Sequence, residues 1–158
     1  MSTSVTESQS VRGFWSLWSH VTRLLEVITP LSFILLIGRI AVASVFLKSG
    51  LNKIESFEVA VQLFSQEYQV PILSPELAAT LATTFELACS ALLIVGLFTR
   101  LATLPLIGMV FVIQTFVYPQ AWTDHLMWVT LLLMLLTRGP GKISLDAIFG
   151  KFVLLRKI

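Results

Sequence analysis

The sequence predicts an all-α membrane protein: a four-transmembrane-helix bundle with interfacial amphipathic helices at the N-terminus, in the first outer loop and at the C-terminus. Three observations carry that class. Hydrophobic residues make up 56% of the 158 and charged residues only 13%, against roughly 25% charged in soluble domains. Four apolar stretches, residues 31–47, 77–97, 101–117 and 121–137, are each long enough to cross a hydrocarbon layer of roughly 30 Å at ~1.5 Å per helical residue. The charges are also unevenly distributed along the chain. With the N-terminus inside, Arg12, Arg23, Arg100, Arg138, Lys142, Lys151, Arg156 and Lys157 fall on the cytoplasmic side. Lys48 and Lys53 fall outside, with Glu55, Glu58, Glu67, Glu76 and Asp124. The positive-inside rule then sets both termini in the cytoplasm.

In chain order, residues 1–10 are polar and read as a disordered tail with no signal peptide. Residues 11–28 repeat Phe14, Leu17, Trp18, Val21, Leu24, Leu25 and Ile28 at helical spacing, with Ser16, Ser19, His20, Arg23 and Glu26 on the other face. That pattern suits a helix lying in the headgroup layer or one that binds a partner. The bundle occupies 29–141. Pro30 opens the first span, and Arg39, Phe46, Gly50 and Lys53 share one face with Lys48 opposite. Phe57, Val61, Phe64 and Tyr68 mark a short outer helix, closed by Pro71 and Pro75.

The second span carries Glu86 near its middle, with Ala79, Ala82, Thr83, Cys89 and Ser90 on the same side. Small residues let another helix approach closely in lipid. The short turn at 96–100 makes the next span its antiparallel neighbour. Gln114 and Tyr118 lie towards the outer end of the third span, and the fourth ends at Gly139-Pro140-Gly141. Residues 142–158 form a basic amphipathic helix capped by Ser144, which anionic lipid should attract.

Two constellations offer chemistry. Arg39 and Glu86 both approach the midplane by their distances from the span ends, and pairing them would relieve two desolvation penalties. Such a pair either specifies the bundle or forms a proton or polar-group site. At the outer mouth stand Lys53, Tyr68, Gln114, Tyr118, Trp122, Asp124 and His125, with Trp128 as a further apolar wall. These donors fit a quinone headgroup between the first and fourth spans; the alternative is that they only anchor the bundle at the interface.

Several classes are unsupported. Cys89 is the only cysteine, so one chain forms neither an internal disulfide nor a CxxC pair. No Cys/His cluster suggests a metal site, and no phosphate loop or nucleophile–base set is present. The basic residues flank the spans, which argues against nucleic acid.

Gly38-Arg39, Ser49-Gly50-Leu51-Asn52-Lys53, Glu86-Leu87, Gly96-Leu97-Phe98-Thr99-Arg100 and Gly139-Pro140-Gly141-Lys142-Ile143-Ser144-Leu145-Asp146 together resemble the DoxX family across residues 31–149. Glu67-Tyr68-Gln69-Val70-Pro71 resembles the branch found beside bacterial metal-stress peptide operons. The resemblance implies a bacterial inner-membrane protein linked to quinone-coupled sulfur oxidation or oxidative-stress complexes. It implies no intrinsic cofactor, a bound quinone at most, and a partner subunit or a homo-oligomer. The expected function is an accessory or quinone-linked subunit in redox or metal-stress homeostasis. The alternatives are a small proton-coupled transporter using Glu86, or a structural anchor for a partner complex.

Overall fold

The computed structural model describes Trp15 and residues 18–22, 30–68 and 72–155, with side chains to residue 150. The tail 1–10, most of the amphipathic stretch 11–28 and the last three residues lie outside the described residues. Among the described residues all regular structure is helical: α1 (Leu31–Glu55), α2 (Phe57–Leu63), α3 (Pro75–Val95), α4 (Thr99–Val112), α5 (Trp122–Arg138) and α6 (Leu145–Leu155). Two π-helical turns, Phe64–Tyr68 and Ile113–Val117, extend α2 and α4.

The boundaries follow from local chemistry. Pro30 sits in extended conformation ahead of α1, and its carbonyl accepts the Phe33 amide at 2.8 Å. Nothing between Leu47 and Glu55 breaks the helix, so α1 runs on through Lys53, as its helical phase predicts, and reaches 25 residues, about 37 Å. Ser74 caps α3 by accepting the Leu77 amide, with Pro75 in the first turn. Gly96 ends α3 at φ 71°, and the Leu97 amide reaches back to the Leu92 carbonyl at 3.0 Å, a Schellman closure. Asp146 caps α4 from a distance: its carboxylate accepts the Phe98 and Thr99 amides at 2.8 and 3.0 Å. Ser144 caps α6 through the Ala147 amide, as expected.

The helices α1, α3, α4 and α5 form a ring, in which α1 lies chiefly against α3 and α4 against both α3 and α5. The ring is filled by Val42, Phe46, Leu93, Leu106, Leu132 and Leu135. Its outer surface is apolar too, with Ile37, Leu104, Phe111 and Leu133 exposed, which suits lipid rather than water. Among the described residues three stretches, Leu31–Glu55, Pro75–Val95 and Thr99–Val117, are long and apolar enough to cross a membrane.

Gly50 sets the closest approach of α1 to α3. A Cβ there would lie 2.8 Å from Leu87 Cγ and 3.1 Å from Glu86 Cβ. Gly50→Ala should therefore cost about 1–3 kcal/mol by overpacking, read as a lower unfolding midpoint in micelles; an unchanged midpoint would mean that Leu87 yields freely.

At the other end of α1 the loop 139–146 fastens the bundle. The Lys142 amide donates to Ser32 Oγ at 3.2 Å, and the Asp146 amide donates to the Gly96 carbonyl at 2.9 Å. Arg39, 1% exposed, donates from Nη2 to the Ile143 carbonyl at 2.7 Å.

Candidate functional site

Glu86 is 2% exposed, on the small-residue face of α3 between Ala79, Thr83 and Ser90. Its partner is Lys53. Lys53 Nζ stands 2.9 Å from both carboxylate oxygens and 2.7 Å from Ser49 Oγ, and Ser49 Oγ donates to Glu86 Oε1 at 3.1 Å. Ser49 and Lys53 are four residues apart on α1 and so share a face. The two helices run antiparallel, with Gly50 level with Leu87 and Arg39 level with Gly96. Helical side chains lean towards their own N-terminus. Lys53 therefore leans back along α1, Glu86 leans back along α3, and the two meet.

The register of the two helices removes the expected Arg39–Glu86 pair, and the lean widens the gap. Arg39 leans towards the start of α1, away from Glu86, and its guanidinium packs against Gly96 and Ser144 with Nη2 on Ile143. Gly50, not Arg39, lies level with Glu86, and Arg39 sits eleven residues earlier on α1, about 16 Å along the helix. Both residues are buried as expected, in separate clusters at opposite ends of the bundle.

Beside the Lys53–Glu86 pair lies a cavity of about 380 Å³ enclosed by all four ring helices and the Phe64–Tyr68 turn. Its walls are mostly apolar, including Phe46, Leu81, Phe85, Met109 and Trp128. Its polar groups come from Ser49, Lys53, Tyr68, Glu86, Tyr118 and His125. Both π-helical turns border it, and Pro105, which breaks the α4 hydrogen-bond ladder, faces it.

His125 is 3% exposed, with its ring 5.2 Å from that of Trp128. Gln114 orients it. The Gln114 amide nitrogen donates to the Pro119 carbonyl at 2.8 Å, which turns Oε1 towards His125 Nδ1 at 2.6 Å. A carbonyl oxygen only accepts, so in the neutral ring the proton sits on Nδ1 and Nε2 presents a lone pair. Tyr68 stacks edge-on to Tyr118 with ring centroids 6.1 Å apart. Burial, with the Tyr118 hydroxyl beside it, holds the Tyr68 phenol above its ordinary range. Tyr68 therefore keeps its proton across physiological pH and remains a donor.

Of the residues expected at the mouth, Lys53, Tyr68, Tyr118 and His125 line one cavity. Gln114 stands behind His125 rather than in the wall. Trp122 and Asp124 are exposed and do not line it, because the first turn of α5 turns them outward while His125 turns in. The cavity also extends beyond the α1–α5 gap to α3 and α4. Sequence reasoning had Ser49 only within a motif and missed Glu86 as a member of this site. The i, i+4 spacing of Ser49 and Lys53 was the available signal.

A protein-family model described as DoxX matches residues 34–119, more than half of the chain. The chain belongs to the DoxX family. With its long apolar helices, this DoxX protein is a membrane protein. The matched region takes in Arg39, Ser49, Lys53, Tyr68 and Glu86 and ends at the turn before α5, so His125 lies beyond it. No curated protein and no solved structure shows a significant match to the chain.

Proposed function

We propose that this DoxX protein is a bacterial inner-membrane subunit that holds a quinone headgroup in its cavity and serves a redox or metal-stress partner. The observation behind the reading is a cavity of about 380 Å³, within the roughly 300–1,000 Å³ of small-molecule sites, with mostly apolar walls and a few hydrogen-bonding groups among them. Quinone oxygens accept hydrogen bonds, which the hydroxyls of Tyr68 and Tyr118 supply, while Lys53 stays committed to Ser49 and Glu86. A quinol hydroxyl donates, and His125 Nε2 accepts. Leu81 and Phe85 line the cavity and are also exposed on the outside of α3, giving an isoprenoid tail a way into lipid. Electrons would pass to or from the partner.

In this reading α5 is the fourth span. Its 17 residues, about 25 Å of helix, suffice at the short end of the spanning range, and it packs along α4 and α1. Both termini are cytoplasmic by the distribution of basic residues, with the amphipathic N-terminal, first-outer-loop and C-terminal segments at the interfaces. Single-cysteine labelling in a Cys89→Ala background should mark Ser65 from outside only. Labelling of Ser65 from the cytoplasm alone would reverse the topology.

The ligand is tested by quantifying quinone that co-purifies in mild detergent. His125→Ala and Ala82→Phe, which removes an acceptor and fills the cavity respectively, should each lower quinone content at least about fivefold, the loss of one good hydrogen bond, with expression and helicity kept. Equal quinone in all three proteins would sink the reading.

One observation favours proton-coupled transport as a second reading. Ser49, Lys53, Phe64 and Tyr68 also line a smaller cavity of about 300 Å³ beneath α2, so Lys53 of the ion pair borders both cavities. Proton flux in proteoliposomes that is abolished by Glu86→Gln would support it.

A further inference from the structure

At the end of the bundle opposite the Lys53–Glu86 pair, a groove of about 600 Å³ runs between the start of α1, the α3–α4 turn and the loop 139–146. Arg100, Arg138 and Lys142 line it, and all three are exposed. Arg100 spends one donor on the Thr137 carbonyl at 3.3 Å and lies over Gly139. Asp146, the carboxylate among the lining residues, already holds the Phe98 and Thr99 amides on its two oxygens. The groove therefore carries three cationic side chains against one carboxylate whose oxygens are already engaged.

Its rim is apolar. Leu31, Phe98 and Leu101 are 53%, 59% and 64% exposed. Phe98 adopts φ 47°, a left-handed conformation that bulky side chains rarely take, and in it the phenyl ring stands out on this rim. Charged groups and exposed apolar side chains thus meet at the level where membrane-crossing helices end. Water alone would favour the first and penalise the second, whereas the headgroup boundary of a bilayer accommodates both.

We propose that this groove binds an anionic glycerophospholipid, with its phosphate among Arg100, Arg138 and Lys142 and an acyl chain along Leu31, Phe98 and Leu101. The shared chemistry with free phosphate is the phosphoryl oxygens; the apolar rim selects the lipid. The site is independent of what occupies the cavity at the other end.

Native mass spectrometry of the full chain in mild detergent, titrated with phosphatidylglycerol or phosphatidylcholine of the same acyl chains, tests it. Preferential retention of phosphatidylglycerol is expected. Each of Arg100→Gln, Arg138→Gln and Lys142→Gln should weaken that preference roughly fivefold, and the triple variant should abolish it. The substituted residues are exposed, so folding should survive. If the triple variant does fold poorly, the parent chain's preference must still decay with added salt.

Equal retention of the two lipids by the parent, or full preference in a folded triple variant, overturns the proposal. So does loss of preference in Lys151→Gln/Arg156→Gln/Lys157→Gln instead, which would assign the effect to the basic C-terminal segment. Displacement of phosphatidylglycerol by inorganic phosphate would make the groove a phosphate site and overturn the lipid assignment.

Discussion

Replacing Lys53 with methionine should destabilise the bundle by about 3–5 kcal/mol, the cost of stranding one charge of a buried pair. The effect should be asymmetric. The Glu86 side chain is 3% exposed and that of Lys53 18%, so Lys53 reaches water when its partner is lost and Glu86 does not. Glu86→Gln should accordingly cost less than Lys53→Met. Lys53→Met with Glu86→Leu should recover much of the loss, since apolar groups of similar volume replace a buried pair with little penalty. Reversible denaturant unfolding in micelles, followed by circular dichroism, reads all three. Arg39→Met combined with Glu86→Gln should instead be additive to within about 0.5 kcal/mol, because Arg39 belongs to the junction at the other end.

The second large effect is expected at Gly96. Its φ of 71° is one that side chains rarely adopt, and an added Cβ would overlap Arg39 Nη1 and lie 2.6 Å from Ser144 Cβ. Gly96→Ala would strain the turn and push the buried guanidinium off the Ile143 carbonyl, with a combined loss of about 3 kcal/mol or more. Gly108→Ala is the control. A Cβ there meets nothing within 4 Å, and alanine in a helix should be neutral or stabilise by up to about 1 kcal/mol. Thermal unfolding of the two variants side by side separates them. Equal midpoints would remove Arg39 and Gly96 from the account of the junction with the 139–146 loop.

Much of this architecture was legible in the sequence because lipid restricts backbone so severely. The apolar stretches, Pro30, the short 96–100 turn, Gly139 and Ser144 marked the helices and their caps through local chemistry alone, whereas the Ser74 cap of α3 went unread. The burial of Arg39 and Glu86 and the exposure of Lys48 followed from helical phase. The partners were harder to read. Which residues of α1 lie level with Glu86 depends on how the two helices are offset, which the sequence of neither helix states. That offset put Gly50 and Lys53 beside Glu86 and left Arg39 about three turns away, beside Gly96.

The motifs that carried the family resemblance are far apart in the chain and meet in two places. Ser49 and Lys53 join Glu86, whereas Arg39 and the 96–100 turn join the 139–146 loop. The cavity itself was only half visible. His125 and Tyr118 were identified at the mouth, but the π-helical turns that direct Tyr68 and Tyr118 towards each other have no simple sequence signature.

The central claim is that a quinone occupies the space beside Lys53, Glu86 and His125. Photo-crosslinking of the purified full chain with a short-tailed photoactivatable quinone, followed by peptide mapping, tests it most directly. The account predicts labels on the stretches 81–86, 109–118 and 125–128, competed by unmodified quinone and lost in Ala82→Phe. Labels confined to the outward faces of the helices, unaffected by competitor, would contradict it.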